Sequence, residues 1–526
     1  MFYFVPSWYG EDRPFFANPI SWVKTSQRIE FDDTINQLKI FQGAGQETSL
    51  LLLHYFPQLR YFLHRNDLLE LPYHSIFDHI QGIGNLPMRC VQLQDFIWDP
   101  DVYFVYTPFL VIARRGEERV ATVEYGVDGN IIQVNSYEEN CLVRQDILDD
   151  RGFISSIIYW DQEAPYRQEY LCPDGKVILT EFLTPENQSI LINLEFADQF
   201  DRWFYPNMEA LVKEQYARFL EQEAESSDTL VLAASPVHNG FAFDLAEDMR
   251  LVLSTYHSRI SLGDDTLSAK LVKQADLILT DSQKEKILIQ DKWPHEAQKV
   301  HRQASFDTRL QLGMSQQRKE SKLFYYINTE EDFNQEKMIA VLKLLATNDL
   351  LEVVIGTYNA DYWKFESLKE QVGNVVSSHF RQEELYLMPE PDEIEADGLV
   401  EPEEVEAQPR YQVKNFNDEL AIIQELEMTR LILDLSLQPN LYTQIAGISA
   451  GIPQINMIET EYVEHLKNGY ILEGLEDLPS ALTYYLETLK AWNESLIYSV
   501  QKIKENTGLQ MVQKWEGWLR ESRHGR

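Results

Sequence analysis

The sequence has few cysteines and lacks any hydrophobic run long enough to cross a membrane. Cys90, Cys141 and Cys172 form no CxxC pair and are too scattered for a disulfide framework, which favours a reducing compartment. No uncharged apolar stretch approaches the roughly 20 residues that a spanning helix requires. The N-terminus has no positively charged region of the kind that begins a signal peptide, so we expect the chain to start at Met1 without a leader. We therefore expect a cytoplasmic protein, with any membrane association peripheral at the inner face.

Basic residues are also scarce. The chain has 46 Lys and Arg against 84 Asp and Glu, which gives a net charge of -38. Such a charge repels nucleic acid and anionic membranes, so we expect no nucleic-acid partner. The exception is the segment 514–526, where Lys514 and three arginines lie beside Trp515 and Trp518. This segment is a candidate for contact with an anionic surface, or else the solvated end of a closing helix.

Apolar residues, in contrast, are abundant. The 526 residues are 44% hydrophobic and 12% aromatic, which is enough to offset the chain entropy lost on folding. A single core stops growing at about 250 to 300 residues. The sequence therefore predicts a globular protein of two or three domains.

The N-terminal region predicts one strand followed by helices. Residues 1–5 form a short apolar run that suits the first strand of a buried sheet. Between residues 33 and 65 the apolar positions fall at helical spacing and are interrupted by Gly43 and Gly45. We therefore predict helices on both sides of a glycine turn.

Residues 101–200 have a different pattern. Short β-rich runs are separated by turn dipeptides that include Asp128-Gly129, Arg151-Gly152 and Asp174-Gly175. Short strands joined largely by Asp-Gly turns are typical of an antiparallel meander rather than of βαβ units. We interpret this region as an insertion, with predicted strands at 102–106, 119–123, 153–159 and 176–180.

Two series of continuous apolar runs follow, separated by segments of helical length. Such runs are typical of buried parallel strands, so we predict two doubly wound sheets in succession. Residues 390–406 contain nine acidic and no basic residues, which predicts a solvated loop or, alternatively, a docking strip for a basic partner. The predicted parallel strands are 229–234, 251–254 and 277–280 in the first series, and 323–327, 351–355, 384–387 and 431–435 in the second.

Several motifs match catalytic patterns only in part. Gly447 to Gly451 matches G-x-S-x-G, but the preceding residues predict a helix rather than a strand, so we do not expect Ser449 to be a nucleophile. The pair Gly43 and Gly45 lacks the rest of a dinucleotide or P-loop motif. The four histidines between residues 54 and 79 have no metal-ligand spacing. We predict no cofactor and no metal.

Two other histidines occupy positions where ligands often bind. His238 and His257 each follow a predicted parallel strand, and the carboxyl ends of such strands commonly form ligand sites. Either histidine could instead be an ordinary loop residue. Both are candidates for contacts in a cleft.

Four segments of the chain have a characteristic order and spacing, namely 274–282, 431–437, 444–456 and 467–472. With these segments, the second half of the chain resembles the donor half of GT-B glycosyltransferases. This resemblance implies an α/β fold, namely a GT-B-like pair of Rossmann-like domains with an inserted antiparallel β meander. It implies a first domain at 1–100 and 201–320, an insertion at 101–200, a donor-like domain at 321–490 and C-terminal helices at 491–526.

The residues that would hold a donor are missing. Retaining enzymes of this type place two glutamates eight residues apart before a Gly-x-Pro turn, and counting back from Gly451 these positions hold Gln438 and Ala446. Alanine cannot accept a hydrogen bond from a sugar hydroxyl. Where those enzymes place a basic pair on the diphosphate, this chain has a segment that would repel it, which leaves Lys337 as the residual cation. That segment contains Asn328, Glu330, Glu331 and Asp332.

Taken as a whole, and including its opening segment from Phe2 to Tyr9, the sequence resembles the first of the accessory secretory proteins of the accessory Sec system of Gram-positive cocci. The resemblance implies a noncatalytic adaptor in the export of a glycosylated serine-rich repeat adhesin. The implied partners are two companion accessory secretory proteins, the accessory SecA motor ATPase and the adhesin. One alternative is an active glycosyltransferase that uses His238 or His257 near the cleft and Lys337 on phosphate, and another is a noncatalytic glycan-binding module.

Overall fold

The computed structural model describes most of the chain, and its residues cluster into two compact units. The first unit contains the described residues within 1–25, 33–302 and 512–526, and the second contains those within 26–32 and 303–511. The described residues are 1–10, 13–17, 32–161, 163–256, 259–260, 262–263, 265–303, 313–315, 321–328, 333–358, 360, 362–387, 408–417, 419–505 and 508–524.

A parallel sheet forms the centre of the first unit. Its strand order is β17-β16-β15-β14-β1-β2-β3, so β1 lies between β14 and β2. The central strands are apolar and almost completely buried, as expected for a parallel sheet covered on both faces. Its strands are β1 (Phe2–Val5), β2 (Thr48–Leu52), β3 (Tyr73–Ser75), β14 (Thr229–Ala233), β15 (Arg250–Ser254), β16 (Leu277–Thr280) and β17 (Val300–Arg302).

An antiparallel sheet is inserted between β3 and β14 of the first unit. Its strands follow sequence order from β4 at one edge to β13 at the other, which is a meander. Gly129, Gly152 and Gly175 have φ values of 79°, 83° and 84°, the left-handed conformation that these turns require. Its strands are β4 (Val102–Tyr106), β5 (Val111–Arg115), β6 (Glu118–Tyr125), β7 (Ile131–Glu138), β8 (Cys141–Leu148), β9 (Ile154–Asp161), β10 (Ala164–Leu171), β11 (Val177–Phe182), β12 (Ile190–Ile192) and β13 (Phe204–Tyr205).

A second parallel sheet forms the centre of the second unit. Its order is β22-β19-β18-β23-β24-β25, and two further strands, β20 and β21, pair with each other outside it. The strands are β18 (Ser321–Tyr326), β19 (Leu351–Tyr358), β20 (Tyr386–Leu387), β21 (Gln408–Pro409), β22 (Tyr411–Phe416), β23 (Thr429–Asp434), β24 (Gln454–Asn456) and β25 (Gly469–Ile471).

Helices connect the strands and cover the sheets. Most connections between neighbouring parallel strands contain a helix, as in βαβ units. The α-helices are α1 (Asp33–Gly43), α2 (Leu59–Arg65), α3 (Ile76–Ile80), α4 (Met208–Glu223), α5 (Ala242–Leu245), α6 (Thr266–Gln274), α7 (Gln283–Lys292), α8 (Gln335–Thr347), α9 (Tyr362–His379), α10 (Gln382–Leu385), α11 (Glu419–Glu427), α12 (Leu441–Ala450), α13 (Leu478–Leu486), α14 (Leu489–Glu505) and α15 (Gly508–His524).

The predicted α/β class, with parallel sheets and an antiparallel meander, is confirmed. The prediction of helices throughout 33–65 is wrong at 48–52, because these residues form β2 in the centre of the first sheet. Thr48–Leu52 is fully buried, and periodicity cannot distinguish a short buried strand from part of a helix. The division of the chain into domains by residue number stays a prediction.

A second correction concerns the strand predicted at 384–387. Residues Gln382–Leu385 form α10, and Tyr386–Leu387 pairs antiparallel with β21. The sheet position beside β19 belongs instead to β22, which the sequence reading missed because its exposed and partly buried residues resemble an ordinary polar segment. The predicted acidic loop at 390–406 lies outside the described residues.

Candidate functional site in the second parallel sheet

The second sheet has a topological switch point at the carboxyl ends of β18 and β23. From β18 the chain continues to β19 on one side, and it later returns to β23 on the other. Ligands of doubly wound sheets bind in the crevice outside such a point. Tyr326 and Asp434 are the last residues of these two strands and lie in register with each other.

Asp434 is fully buried, and its carboxylate is used by the loop that follows β23. One oxygen accepts hydrogen bonds from the Ser436 backbone N–H at 3.1 Å and the Ser436 hydroxyl at 2.6 Å. The other accepts from the Asn440 backbone N–H at 2.7 Å. Burial raises the pKa of Asp434, while these hydrogen bonds act in the opposite direction. The carboxylate therefore fixes the loop before α12.

The first turn of α12 is closed by side chains of the chain itself. Asn440 accepts hydrogen bonds from the Thr443 backbone N–H at 2.9 Å and the Thr443 hydroxyl at 3.0 Å, and its amide donates to the Tyr326 hydroxyl at 3.2 Å. The Tyr358 hydroxyl lies 2.9 Å from Thr443 Oγ1. Free N–H groups at a helix N-terminus would suit a phosphate. Here the Asn440 side chain already accepts from the Thr443 N–H, and the Tyr326 and Tyr358 hydroxyls hydrogen-bond to Asn440 and Thr443.

The two positions predicted to correspond to the donor glutamates lie in different environments. Gln438 is exposed in the loop before α12, whereas Ala446 is fully buried in that helix. Ala446 belongs to an apolar cluster that includes Phe324, Ile432 and Tyr442. Gly451 ends the helix with φ 70°, which fits the predicted helix stop before Pro453. A carboxylate at 446 would therefore enter the core of the unit.

The segment predicted to oppose a diphosphate is described only in part. Asn328 follows β18 and is partly buried, whereas Glu330, Glu331 and Asp332 lie outside the described residues. Lys337 lies in the first turn of α8 and is also partly buried. Its positive charge acts on Asp434 and favours the ionised form of that carboxyl. Lys337 therefore stays a prediction as a cation for a diphosphate.

The two predicted histidines belong to the first unit, and only one is described. His238 is fully buried, and its Nε2 lies 2.9 Å from the Ala233 carbonyl oxygen, which can only accept. Nε2 therefore carries the proton, and Nδ1 accepts from the Tyr9 hydroxyl at 2.7 Å. Burial lowers the pKa of His238 to about 3. Both ring nitrogens thus already have partners within the chain, and His257 lies outside the described residues.

A third histidine, His54, lies beside these residues. It follows β2 and is 1% exposed, and its ring centroid lies 5.4 Å from that of Tyr9. Neither ring nitrogen has a hydrogen-bond partner among the described residues. From the sequence, His54 is a candidate only as a metal ligand, and its spacing does not support that role. Its proximity to His238 could have been found only from the adjacency of β14, β1 and β2.

The described residues were also compared with the metal, nucleophile and membrane-spanning patterns. No three histidine, cysteine, aspartate or glutamate side chains there come together as a metal site. Ser449 lies within α12 and is buried, so it does not occupy a strand-to-helix turn. None of the helices within the described ranges combines the length and apolar character needed to cross a bilayer.

Comparison with known proteins defines first the fold and then the family. The structure of the pneumococcal O-GlcNAc transferase GtfA, in complex with UDP and GlcNAc, covers 99% of each chain with a TM-score of 0.68 and 14% identity. This likeness concerns the fold alone, and it confirms the GT-B fold. The first accessory secretory protein is a closer match: a structure described as accessory secretory protein 1, 2 and 3 in Streptococcus pneumoniae covers 100% of each chain with a TM-score of 0.87 and 35% identity.

The sequence relatives agree with this result. A protein of Streptococcus gordonii, described as the first accessory secretory protein of the accessory Sec system, is 42% identical over 525 residues, which is 99% of each chain. The family model for the same accessory Sec system protein matches residues 1–522. The chain belongs to this family, accessory secretory protein 1 of the accessory Sec system. The resemblance inferred from the sequence is thereby confirmed.

Proposed function

We propose that this protein is a noncatalytic adaptor of the accessory Sec system, built on a degenerate glycosyltransferase scaffold and needed to export a glycosylated serine-rich repeat adhesin. Its partners are two companion accessory secretory proteins, the accessory SecA motor and the adhesin. It acts in the cytoplasm, and any membrane association is peripheral.

The main support for a noncatalytic role is the environment of Ala446. A donor ribose would need a polar partner here, and an unpartnered buried polar group typically costs about 1 to 3 kcal/mol. The methyl group of Ala446 instead packs in the apolar cluster with Phe324 and Tyr442. The carboxylate of Asp434 lies at the nearby switch point, where its charge would oppose a diphosphate.

A solved structure that contains companion proteins supports the two companions among the proposed partners. The pneumococcal structure of accessory secretory proteins 1, 2 and 3 contains a chain that this protein covers over its full length. Fold alone does not establish function, because GT-B scaffolds serve different roles. The family relation and the absence of both donor glutamates together support the adaptor role.

A titration with nucleotide sugars, combined with a transfer assay on the adhesin acceptor, tests the proposal. We expect no turnover above the rate without protein, since neither donor glutamate is present. Measurable sugar transfer would overturn the noncatalytic role and favour an active enzyme. The assay should include an active glycosyltransferase as a positive control for the acceptor.

Coprecipitation from cells that do not glycosylate the adhesin separates an adaptor from a glycan-binding module. An adaptor should still bring down the two companions under these conditions. If all association disappeared with the glycans, binding would depend on sugar and the adaptor role would fail.

A further inference from the structure

Strand β4 forms an open edge of the antiparallel sheet. It pairs with β5 over five residues without a register shift, and among the described strands nothing pairs with its other side. The Thr107 N–H donates to the Leu110 carbonyl oxygen at 3.1 Å, which identifies this as a hydrogen-bonded pair. Hydrogen-bonded and non-hydrogen-bonded pairs alternate along an antiparallel ladder, so Tyr106 and Phe104 belong to non-hydrogen-bonded pairs with β5. Their backbone N–H and C=O groups therefore point away from β5. These groups form a free hydrogen-bonding edge.

This edge lacks the features that normally prevent strand addition. Residues Val102–Tyr106 contain no proline, lysine or other charged residue, and the pairing with β5 has no bulge. Several large apolar side chains are also exposed here: Tyr103 is 48%, Tyr106 71% and Phe109 57% exposed. The opposite edge, β13, is only two residues long. An apolar, unprotected edge of this kind marks an interaction site or an aggregation hazard.

The charges beside β4 indicate what would bind there. Tyr103 is in register with Arg114 on β5, which in turn is in register with Arg119 on β6. Like charges directly opposite each other destabilise a sheet. Arg114 donates to the Glu117 backbone carbonyl and Arg119 to that of Asn140, while Arg119 also lies 3.8 Å from the Tyr137 ring centroid. Neither arginine has a carboxylate partner among the described residues, so an acidic side chain would complement them.

A second copy of this chain fits poorly as the occupant. The strand Val102–Tyr106 carries no carboxylate that could reach Arg114 across a pair of β4 strands. Each copy also has a net charge of -38, so two copies repel each other. The occupant therefore needs a carboxylate within or beside its strand and a less negative net charge than a second copy has.

We infer that β4 accepts an extended strand from one of the companion accessory proteins, which adds to the sheet by β-augmentation. The added strand presents apolar side chains to Tyr103 and Val105 and a carboxylate to Arg114. Main-chain hydrogen bonds to the free edge supply affinity, and the alternating side chains supply specificity. This inference rests on the proposed partnership with the companions and assigns it a surface.

Hydrogen exchange combined with matched variants tests this inference. The full chain is mixed with accessory secretory proteins 2 and 3 from the same organism, and amide exchange is compared with that of the chain alone. We expect slower exchange in the peptide that covers residues 102–106. Y106P removes an outward N–H and should weaken binding about tenfold, whereas Y106F keeps that N–H and should bind like the wild type. R114E should also weaken binding about tenfold.

The outcomes separate the surface from the partnership. If the complex forms but the exchange of 102–106 is unchanged, or if Y106P binds like Y106F, the inference is overturned while the proposed function stands. If the wild type does not bind the companions, the proposed partnership fails. A homodimer that Y106P dissociates would assign the edge to a second copy and also overturn the inference. Equal thermal midpoints of the three variants and the wild type exclude misfolding as the cause.

Discussion

At the scale of single residues, the burial of Ala446 in an apolar cluster makes an acidic side chain at this position costly. We expect A446E to lower the free energy of unfolding of the second unit by about 3 to 5 kcal/mol, because an unpaired carboxylate would enter an apolar cluster. Q438E changes an exposed loop residue and should alter the free energy of unfolding by about 0.5 kcal/mol or less. Chemical unfolding followed by fluorescence measures the free energy of unfolding of both variants. Equal stability of the two variants would contradict the burial of residue 446.

The histidine at position 54 should make stability depend on pH. Burial lowers the pKa of His54 to about 3, so between about pH 6.5 and 3 the unfolded chain binds a proton that the folded chain does not. Stability is then lost as the pH falls, at about 1.4 kcal/mol per pH unit. H54F should remove this loss, and at pH 5 it should unfold later than the wild type.

A matched variant checks the cause of this effect. His238 has a similarly lowered pKa but makes two hydrogen bonds, so H238F leaves the Tyr9 hydroxyl and the Ala233 carbonyl without partners. H238F should therefore be destabilised at pH 7.5 by about 1 to 3 kcal/mol, where H54F is not. If H54F also destabilised the protein at pH 7.5, the imidazole of His54 would contribute a net stabilising contact, which contradicts the prediction.

At the scale of elements, a buried charge cluster joins the inserted sheet to α2 and α3 of the first unit. Arg60 on α2 donates through Nε to Asp150 and through Nη2 to Asp149 at 3.1 Å. Both aspartates lie in the turn between β8 and β9, where Arg151 forms a bidentate pair with Asp78 of α3 at 2.6 and 2.9 Å. Removing one partner of a buried pair leaves an uncompensated charge, which makes this junction sensitive to substitution.

The resulting prediction can be measured with a double-mutant cycle. R60M should destabilise the first unit by about 3 to 5 kcal/mol, and R60M with D150N should recover part of this loss, because fewer charges remain unpaired. R144M removes a more exposed pair with Asp146 in the same sheet and should cost about 1 kcal/mol or less. Additive effects of R60M and D150N in unfolding experiments would rule out coupling across the junction.

The elements also show what the sequence could and could not predict. Strands that are continuous apolar runs, such as β14 and β16, were predicted closely, and so were the glycine turns of the meander. The prediction failed at β2, whose apolar positions also fit a helix, and at β22, where Phe416 is buried but the other side chains are exposed or partly buried. Both errors arise because tertiary burial, rather than local pattern, decides the structure of short segments.

At the scale of the whole molecule, the positions predicted to correspond to the donor glutamates could be counted back from Gly451, but their environments could not be predicted from the sequence. The spacing locates these positions, and the sequence places Gln438 and Ala446 there, neither of which has a carboxylate. It did not indicate that one is exposed while the other is fully buried. Nor could it place His54 near His238, because the strands that precede them are separated in sequence by the whole inserted sheet and come together only by flanking β1 in the order β14-β1-β2. Local sequence patterns therefore do not predict the order of strands that are distant in the sequence.

The same long-range order returns the C-terminal helix to the first unit. Residues of α15 from Val512 onward cluster with that unit, and the fully buried Trp515 lies 4.8 Å from Phe41, measured between ring centroids. Phe41 in turn packs against Phe2 and Phe4 of β1 at 4.9 and 5.4 Å. The last residues of the chain therefore complete the core around its first strand.

Removing this contact should destabilise the N-terminal part of the chain selectively. We expect W515A to cost about 3 to 5 kcal/mol, because it leaves a cavity beside Phe41. Amide protection in β1 and α1 should fall, while that of β18 and β23 in the other unit should be retained. Q513A changes an exposed position of the same helix and should leave both patterns unchanged. Loss of protection in β18 and β23 with β1 unaffected would show that α15 stabilises the second unit instead.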